Sequence, residues 1–177
     1  MKHIIQMGKK VLRNIAEEVP HNEITSVRIQ SIIQNMNDVL ATQNDGVALA
    51  APQIGESYRI FTVAPFIFDD PSDEHLIYIN PKIIEQSEKK KWLHEGCLSC
   101  RWKVGDVERS VTATVHAYDE YGKEFTQTGD GLLAHIFQHE IDHLDGILFI
   151  DKAQNIRDMT EEEINDVLEG TNEQRHV

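Results

Sequence analysis

The segment His139-Glu140-Ile141-Asp142-His143 has the residue types and the spacing of a metal site. On a helix, residues four apart lie one above the other, so the His139 and His143 imidazoles point the same way and can share a metal ion. Glu140 lies beside them as a candidate base. The alternative is a pair of helix histidines satisfied by hydrogen bonds in the core. His135 precedes His139 by four residues without an intervening glutamate, so we interpret it as a wall residue of the same pocket, or as an ordinary buried histidine.

A hydrolytic metal site needs a third protein ligand and one position open to water. Phe149 stands where a metzincin places another histidine, which disfavours that class. The acidic run Glu161–Glu163 offers a thermolysin-like ligand, but it is typical of the first turn of a surface helix. Cys97, in Glu95-Gly96-Cys97-Leu98-Ser99, is the better candidate, because a thiolate is a strong ligand and Gly96 permits close approach of the backbone.

Cys97 and Cys100 also form a C-x-x-C pair, which keeps two alternatives open. One is a closed structural zinc site of Cys97, Cys100, His139 and His143, which would stabilise a binding domain without enzymatic activity. That site would leave Glu140 without a role. The other alternative is a redox dithiol, which is weaker because neither a βαβ pattern nor a helix start surrounds the pair.

A third segment, from Gly46 to Gly55, is rich in small residues and contains Pro52 directly before Gln53. Small residues permit close backbone approach, and the proline stiffens the turn. We therefore predict that Gln53 is a lone amide donor on a rigid apolar loop, where it would suit a developing oxyanion. Tight packing with Gln53 at the surface is an equally good interpretation of this segment alone.

Helices and short strands must position these segments. Apolar residues at helical spacing predict a first helix after Ile24, with Thr25 or Ser26 as its N-cap, that ends before a loop at Gly46. A second helix, Asp130–Leu144, is apolar nearly all round, as expected of a buried helix, and a third begins at Thr160 with a capping box to Glu163. The predicted strands are 58–64, 76–85, 111–118 and 123–126, the last two as a hairpin. The expected fold is α+β, with antiparallel β-sheets packed around the central helix and an N-terminal and a C-terminal helix.

Length and composition set the class of protein. The chain has 177 residues, of which 40% are hydrophobic, with a formal net charge of −13. These values favour one globular domain, residues 1–177 with a frayed tail from about 170, and they exclude wholesale disorder and a disulfide mini-scaffold. The acidic charge disfavours nucleic-acid binding, and apolar runs are too short for a membrane span. The N-terminus lacks the pattern of a signal peptide, so we expect a cytosolic location.

Taken together, the three segments resemble the peptide deformylase family. The family motifs G-x-G-x-A-A-x-Q, E-G-C-L-S and Q-H-E-x-D-H match residues Gly46–Gln53, Glu95–Ser99 and Gln138–His143, in the family's order and spacing. The resemblance extends from Val11 to about Asp151. Three independent motifs in order make it highly specific.

The resemblance implies a deformylase that hydrolyses N-formylmethionyl nascent peptides and releases formate. Cys97, His139 and His143 would hold one divalent metal ion, natively Fe²⁺, although Zn²⁺, Ni²⁺ or Co²⁺ also suits such a site. Glu140 would be the general acid and base. The Gln53 side chain and the Leu98 N–H would form the oxyanion hole.

Further positions match the family's substrate site and its ion pair. Gly46, Val47, Ala48, Gly96, His135 and Ile136 match substrate-binding residues. Glu95 and Arg109 match an ion pair that braces the cysteine segment. We expect a monomer and, at most, transient contact with the ribosome. The basic C-terminal helix by which some members dock is not carried over, because residues 160–169 are acidic.

Three departures from the family pattern bear on substrate preference. Ala48 replaces the second glycine, Cys100-Arg101 replaces an apolar residue and a proline, and His135 replaces an aliphatic residue. The runner-up enzyme is a zinc metallopeptidase that cleaves ordinary peptide bonds.

Overall fold

Three α-helices, eight β-strands and several short 3₁₀-helices make up the regular structure in the computed structural model, which describes residues 2–69 and 75–169. The helices are α1 (Val27–Ala41), α2 (Gly131–Leu144) and α3 (Glu161–Glu169). The strands are β1 (Ala48–Ala50), β2 (Ile60–Val63), β3 (Ile77–Gln86), β4 (Lys90–Gly96), β5 (Lys103–Ser110), β6 (Thr112–Tyr118), β7 (Glu124–Asp130) and β8 (Gln154–Asp158). The predicted α+β class is confirmed. The described helices include none long and apolar enough to cross a membrane.

Helix α1 follows the sequence prediction closely. Ser26 caps it, because its hydroxyl accepts a hydrogen bond from the Ile29 N–H at 3.3 Å. The predicted apolar stripe is buried and packs against the inner face of β1, β2 and the start of β3. Helix α1 therefore covers one face of the sheet that carries the glutamine motif.

The larger sheet has the strand order β1-β2-β3-β6-β7, with every pair antiparallel. The predicted strand regions and the β6–β7 hairpin are confirmed. At its centre Phe61 and Tyr78 stack with ring centroids 4.3 Å apart, and Phe137 of α2 packs edge-on against Tyr78. These contacts fix α2 against the face of the sheet opposite α1.

A second sheet of three strands, in the order β4-β5-β8, was not resolved by the sequence patterns. Its strands carry many charged residues, and β8 is exposed throughout, so hydrophobic alternation is weak there. The long β4–β5 pairing places Glu95 opposite Gly105 and Gly96 opposite Val104. The sheet therefore delivers the cysteine segment, which follows directly after β4, to helix α2.

The segment from Gly46 to Gly55 was predicted to be a rigid loop, and this prediction was wrong. Residues Ala48–Ala50 pair with β2 as a strand, and Ala51–Ile54 form one turn of 3₁₀-helix. The small residues allow this buried strand to pack tightly, and Pro52 begins the turn that follows. The predicted rigidity therefore comes from a sheet edge and a tight turn.

The ends of α2 and α3 also agree with the sequence. Thr160 and Glu163 form the predicted capping box through reciprocal hydrogen bonds of 2.7 and 3.2 Å. Gly146, just past α2, has a φ of 74°, and the chain leaving the helix packs against the N-terminal segment there. The expected frayed tail from about residue 170 lies outside the described residues.

Gly146→Ala should destabilise the protein more than the control Gly131→Ala. Both glycines have positive φ, which costs a residue with a Cβ about 1 kcal/mol or more. A Cβ at Gly146 would also lie 2.6 Å from the backbone oxygen of Arg13, whereas one at Gly131 would meet nothing within 4 Å. We expect a loss of about 2 kcal/mol or more at Gly146 and about 1 kcal/mol at Gly131. Urea denaturation of both variants measures the difference. Equal losses would show that the backbone at Arg13 moves away from the added methyl group without a further cost in stability.

Candidate metal centre

Three buried side chains from two distant segments form a compact group. The Sγ of Cys97 and one ring nitrogen of each of His139 and His143 all lie within 4.8 Å of one another. Cys97 Sγ is 3.2 Å from His143 Nε2, and the two imidazole centroids are 4.9 Å apart. The thiol is delivered by the end of β4 and both imidazoles by one face of α2, as the four-residue spacing predicts.

The polar atoms of this group fit a metal ion. His139 Nε2 is buried and has no hydrogen-bond partner among the described residues. A buried polar atom without a partner is costly, and a cation beside it would remove that cost. Thiolate sulfur and imidazole nitrogen are ligands that zinc and neighbouring first-row metals accept. The donor set and the unpaired nitrogen therefore both support a divalent ion at this point.

The Glu95 carboxylate orients the first histidine. Its Oε2 accepts a hydrogen bond from His139 Nδ1 at 3.0 Å, which leaves Nε2 facing the cysteine. Arg109 holds the same carboxylate from the other side, with Nε 2.7 Å from Oε1 and Nη2 3.1 Å from Oε2. The Arg109 Nη1 donates to Asp142 at 2.6 Å, and Lys152 pairs with Asp142 in turn. Such outer contacts fix the tautomer and the direction of a metal-ligating histidine.

Burial sets the protonation states of the group. Burial alone would raise the pKa of Glu95, but contacts with His135, His139 and Arg109 lower it well below its ordinary value, so Glu95 stays ionised. Burial lowers the pKa of both His139 and His143, which favours the neutral imidazole that binds metals. Burial, together with the Cys100 thiol, raises the pKa of Cys97, so its thiolate needs a cation beside it.

Glu140 lies next to the ligands and is almost completely buried. Its Oε2 has no hydrogen-bond partner among the described residues. Burial, with a smaller contribution from the charge of Glu95, raises the pKa of Glu140 well above its ordinary value. A raised pKa is the direction of shift that suits a carboxyl group which accepts a proton and later returns it.

Gln53 lies inside the site and not at the surface, where the alternative interpretation would have placed it. Its Oε1 accepts a hydrogen bond from the Ala50 N–H at 2.7 Å, which fixes the orientation of the amide. Its Nε2 then points to Cys97 Sγ at 3.7 Å. The Leu98 N–H has no acceptor among the described residues. The Gln53 amide therefore lies beside the thiol, and the unpaired Leu98 N–H belongs to the residue that directly follows Cys97.

Three residues predicted to bind substrate pack in the main core of the structure. Val47, Ala48 and Ile136 are fully buried in the cluster between α2 and the larger sheet, and the Val47 carbonyl accepts from the Ala64 N–H at 2.8 Å. A Cβ at Gly46 would meet a Leu40 methyl group at 2.8 Å, so close packing explains the glycine there. Their contact with a substrate remains a prediction.

His135 and Gly96 lie closer to the metal ligands. His135 Nε2 is 2.6 Å from Glu95 Oε1, so its ring faces the carboxylate that orients His139. Gly96 is the last residue of β4 and directly precedes Cys97. The interpretation of His135 as a pocket wall therefore gains a close charged neighbour that the sequence did not indicate, at a contact that does not have the geometry of a hydrogen bond.

An ion pair between the first two motifs was missed by the sequence analysis. Arg101 donates to both carboxylate oxygens of Asp45, at 2.5 and 3.0 Å, and to Gln43 Oε1 at 3.0 Å. The sequence showed that Arg101 departs from the family pattern. It did not show that Asp45 is the partner of Arg101, because 56 residues separate the two. The pair ties the cysteine segment to the chain entering Gly46.

Comparisons with known proteins agree with this geometry. The family model described as Polypeptide deformylase matches residues 1–159. The peptide deformylase of Carboxydothermus hydrogenoformans is 44% identical over 153 residues, covering 86% of this chain and 93% of the relative. That of Halothermothrix orenii is 46% identical over 154 residues, covering 86% and 94%.

Solved structures give the same result. A peptide deformylase from Synechococcus elongatus, crystallised in complex with actinonin, superposes with a TM-score of 0.78 at 31% identity, covering 99% of this chain and 91% of that one. The peptide deformylase of Legionella pneumophila gives 0.77 at 36% identity, covering 88% and 87%. The chain belongs to the peptide deformylase family.

Proposed function

We propose that this chain hydrolyses the N-formyl group of N-formylmethionyl peptides and nascent chains and releases formate. One observation carries the proposal: in a member of this family, ligand atoms of Cys97, His139 and His143 lie within 4.8 Å of one another, with the Gln53 amide 3.7 Å from the Cys97 sulfur and the buried Glu140 directly after His139 in the chain. The five side chains come from three separate segments. Residues 1–177 would act as one catalytic domain, of which 1–159 match the family.

The metal site is proposed on the fit described above. Cys97, His139 and His143 would hold one divalent ion, Fe²⁺ in the native protein, with Zn²⁺, Ni²⁺ or Co²⁺ as substitutes. When bound, the ion supplies a Lewis acid and lowers the pKa of water at its open position. Glu95 and Arg109 would keep the His139 ring in place for it.

The side chains around that point would carry out the proton transfers and stabilise the charge. Glu140 would take a proton from the attacking water and later return it to the leaving amine nitrogen. The Gln53 Nε2 and the Leu98 N–H would donate to the oxygen of the formyl group as it becomes an oxyanion. Because a formyl carbon bears only hydrogen, a close-fitting wall would admit it and reject larger acyl groups by steric clash.

The substrate side chain would lie near the remaining predicted residues, Gly46, Val47, Ala48, Gly96, His135 and Ile136. His135 and its partner Glu95 would make this region more polar than an aliphatic residue would. The partners would be formylated peptides or nascent chains, with at most transient ribosome contact. A monomer in the cytosol remains the prediction for the protein's state and location.

Formate release from a short N-formylmethionyl peptide tests the proposed reaction. The protein is loaded anaerobically with ferrous iron, or with nickel, and formate is measured enzymatically. We expect turnover by the wild type and a decrease in kcat of about a hundredfold or more in both Glu140→Ala and Glu140→Gln, because each removes the proton-transferring carboxylate. Metal content and circular dichroism should stay unchanged in both variants.

Two outcomes would contradict parts of this proposal. Retained activity in Glu140→Gln would remove Glu140 from the acid–base role. Cleavage of unformylated peptides, with formylated ones left intact, would support a metallopeptidase instead.

Metal stoichiometry tests the ligand set. Cys97→Ser should lose most of the bound metal, because the thiolate is one of three ligands. Cys100→Ser should keep it, because the Cys100 sulfur is not part of the group that lies within 4.8 Å. Inductively coupled plasma mass spectrometry of both purified variants gives the answer. Equal loss in both would favour a closed four-ligand zinc site.

A further inference from the structure

The two cysteines of the chain lie on one tight turn. The Cys100 N–H donates to the Cys97 carbonyl at 3.0 Å, which makes residues 97–100 a hydrogen-bonded turn. The ends of such a turn have Cα atoms less than about 7 Å apart. A disulfide spans Cα separations of about 4.4–6.8 Å. The backbone therefore already holds these residues at disulfide distance.

The side chains also share one environment. Cys97 and Cys100 belong to the same buried apolar cluster, with Leu12, Leu148 and Phe149. Cys97 is 6% exposed and faces the histidines, whereas Cys100 is 0% exposed and lies behind it. An oxidant entering from the side of the metal site would reach the Cys97 sulfur first.

Cys100 has no part in the proposed hydrolysis. It lies outside the group formed by Cys97, His139 and His143, and the family motif ends before it. A second buried sulfur beside a ligand sulfur therefore remains to be explained.

We propose that Cys97 and Cys100 form a reversible thiol–disulfide site that acts on the metal centre, in which the Cys97 sulfur is oxidised by peroxide and the Cys100 sulfur then displaces the oxygen to form the disulfide. The pairing of Cys97 with Cys100 is inferred from their placement on one turn and in one buried cluster. Its effect on the metal rests on the proposed function, in which Cys97 is a ligand.

The chemistry requires one equivalent of hydrogen peroxide. The Cys97 thiolate attacks a peroxide oxygen, an S–O bond forms as the O–O bond breaks, and the departing hydroxide takes a proton to become water. The Cys100 thiolate then attacks the Cys97 sulfur, an S–S bond forms as the S–O bond breaks, and the second hydroxide leaves as water after protonation. Two thiols are oxidised by two electrons, and one peroxide is reduced to two waters.

The disulfide would have two consequences. Cys97 would no longer offer a thiolate, so the metal would keep only His139 and His143 and would dissociate. The sulfur would also be protected from further oxidation to sulfinic and sulfonic acids, which thiol reductants do not reverse. A reductant would restore both thiols and the metal site.

Peroxide treatment of the zinc-loaded protein tests this proposal, because zinc itself undergoes no redox change. The zinc content of the reduced protein is measured first. One equivalent of hydrogen peroxide is then added with a chromogenic chelator present, and intact mass and peptide maps are recorded before and after dithiothreitol. We expect loss of two hydrogen atoms, a Cys97–Cys100 linkage within one chain, release of about one zinc per disulfide, and full reversal of the mass change by dithiothreitol.

The matched control is Cys100→Ala, with Cys100→Val as a second variant that fills more of the buried space. Both should bind zinc as the wild type does. After peroxide, Cys97 in both should gain two or three oxygen atoms that dithiothreitol does not remove. The same oxygen gain in the wild type, or a linkage between two chains, would overturn the proposal.

Failure of the proposed function has a different signature. A reduced wild-type protein that binds no zinc, yet forms the disulfide, would overturn the metal role of Cys97 and support the thiol pair. Zinc binding with irreversible oxidation of Cys97 would support the metal role and overturn the thiol pair.

Discussion

The buried carboxylate of Glu95 is the interaction on which the site depends. It is fully buried, and it holds Arg109 from the neighbouring strand and His139 from the central helix. An ionised carboxylate can be buried only if its charge is compensated and its oxygens are hydrogen-bonded. Removal of one partner from such a pair typically costs about 3–5 kcal/mol, because the other charge is left buried. The smaller sheet and α2 are therefore joined at one electrostatic point, and the Cys97 segment begins two residues after it.

The need to pair the buried Glu95 carboxylate explains how strands with few apolar residues can position the candidate metal centre. The β4–β5 pair gains little from apolar burial on its outer face, but its register sets Glu95 and Arg109 on the side that faces α2. On the opposite face of α2, Phe137 is fixed by the aromatic contacts of the larger sheet. The helix is thus held from both sides, and the four-residue spacing of His139 and His143 becomes a fixed geometry of the two rings.

Those parts of the fold and of the candidate site that depend on residues close together in the chain could be predicted from the sequence. The Ser26 cap, the buried stripe of α1, the β6–β7 hairpin and the capping box at Thr160 are all local patterns, and all are present. The i, i+4 spacing predicted the two histidines of the candidate metal group, whereas Cys97 was only the better of several candidates for a third ligand until the family resemblance was considered. The second sheet was missed because its strands are charged and half exposed, so the alternation that marks strands is weak. The ion pair of Arg101 with Asp45 was missed because only the folded chain brings them together.

The charged side chains next to His139 are balanced in sign. They show how an acidic protein can hold a cation without an excess of negative charge at the site. Glu95 and Asp142 are each matched by a neighbouring base, Arg109 and Lys152, so the group behind His139 is close to neutral. A divalent ion at the proposed centre would then be balanced by the Cys97 thiolate and the Glu140 carboxylate, which lie in front of that group. Burial makes each of those two anions costly without the ion, as the raised pKa values of both side chains indicate. The affinity for the ion would therefore come mainly from the charges of the site itself, because salt screens buried charges much less than exposed ones.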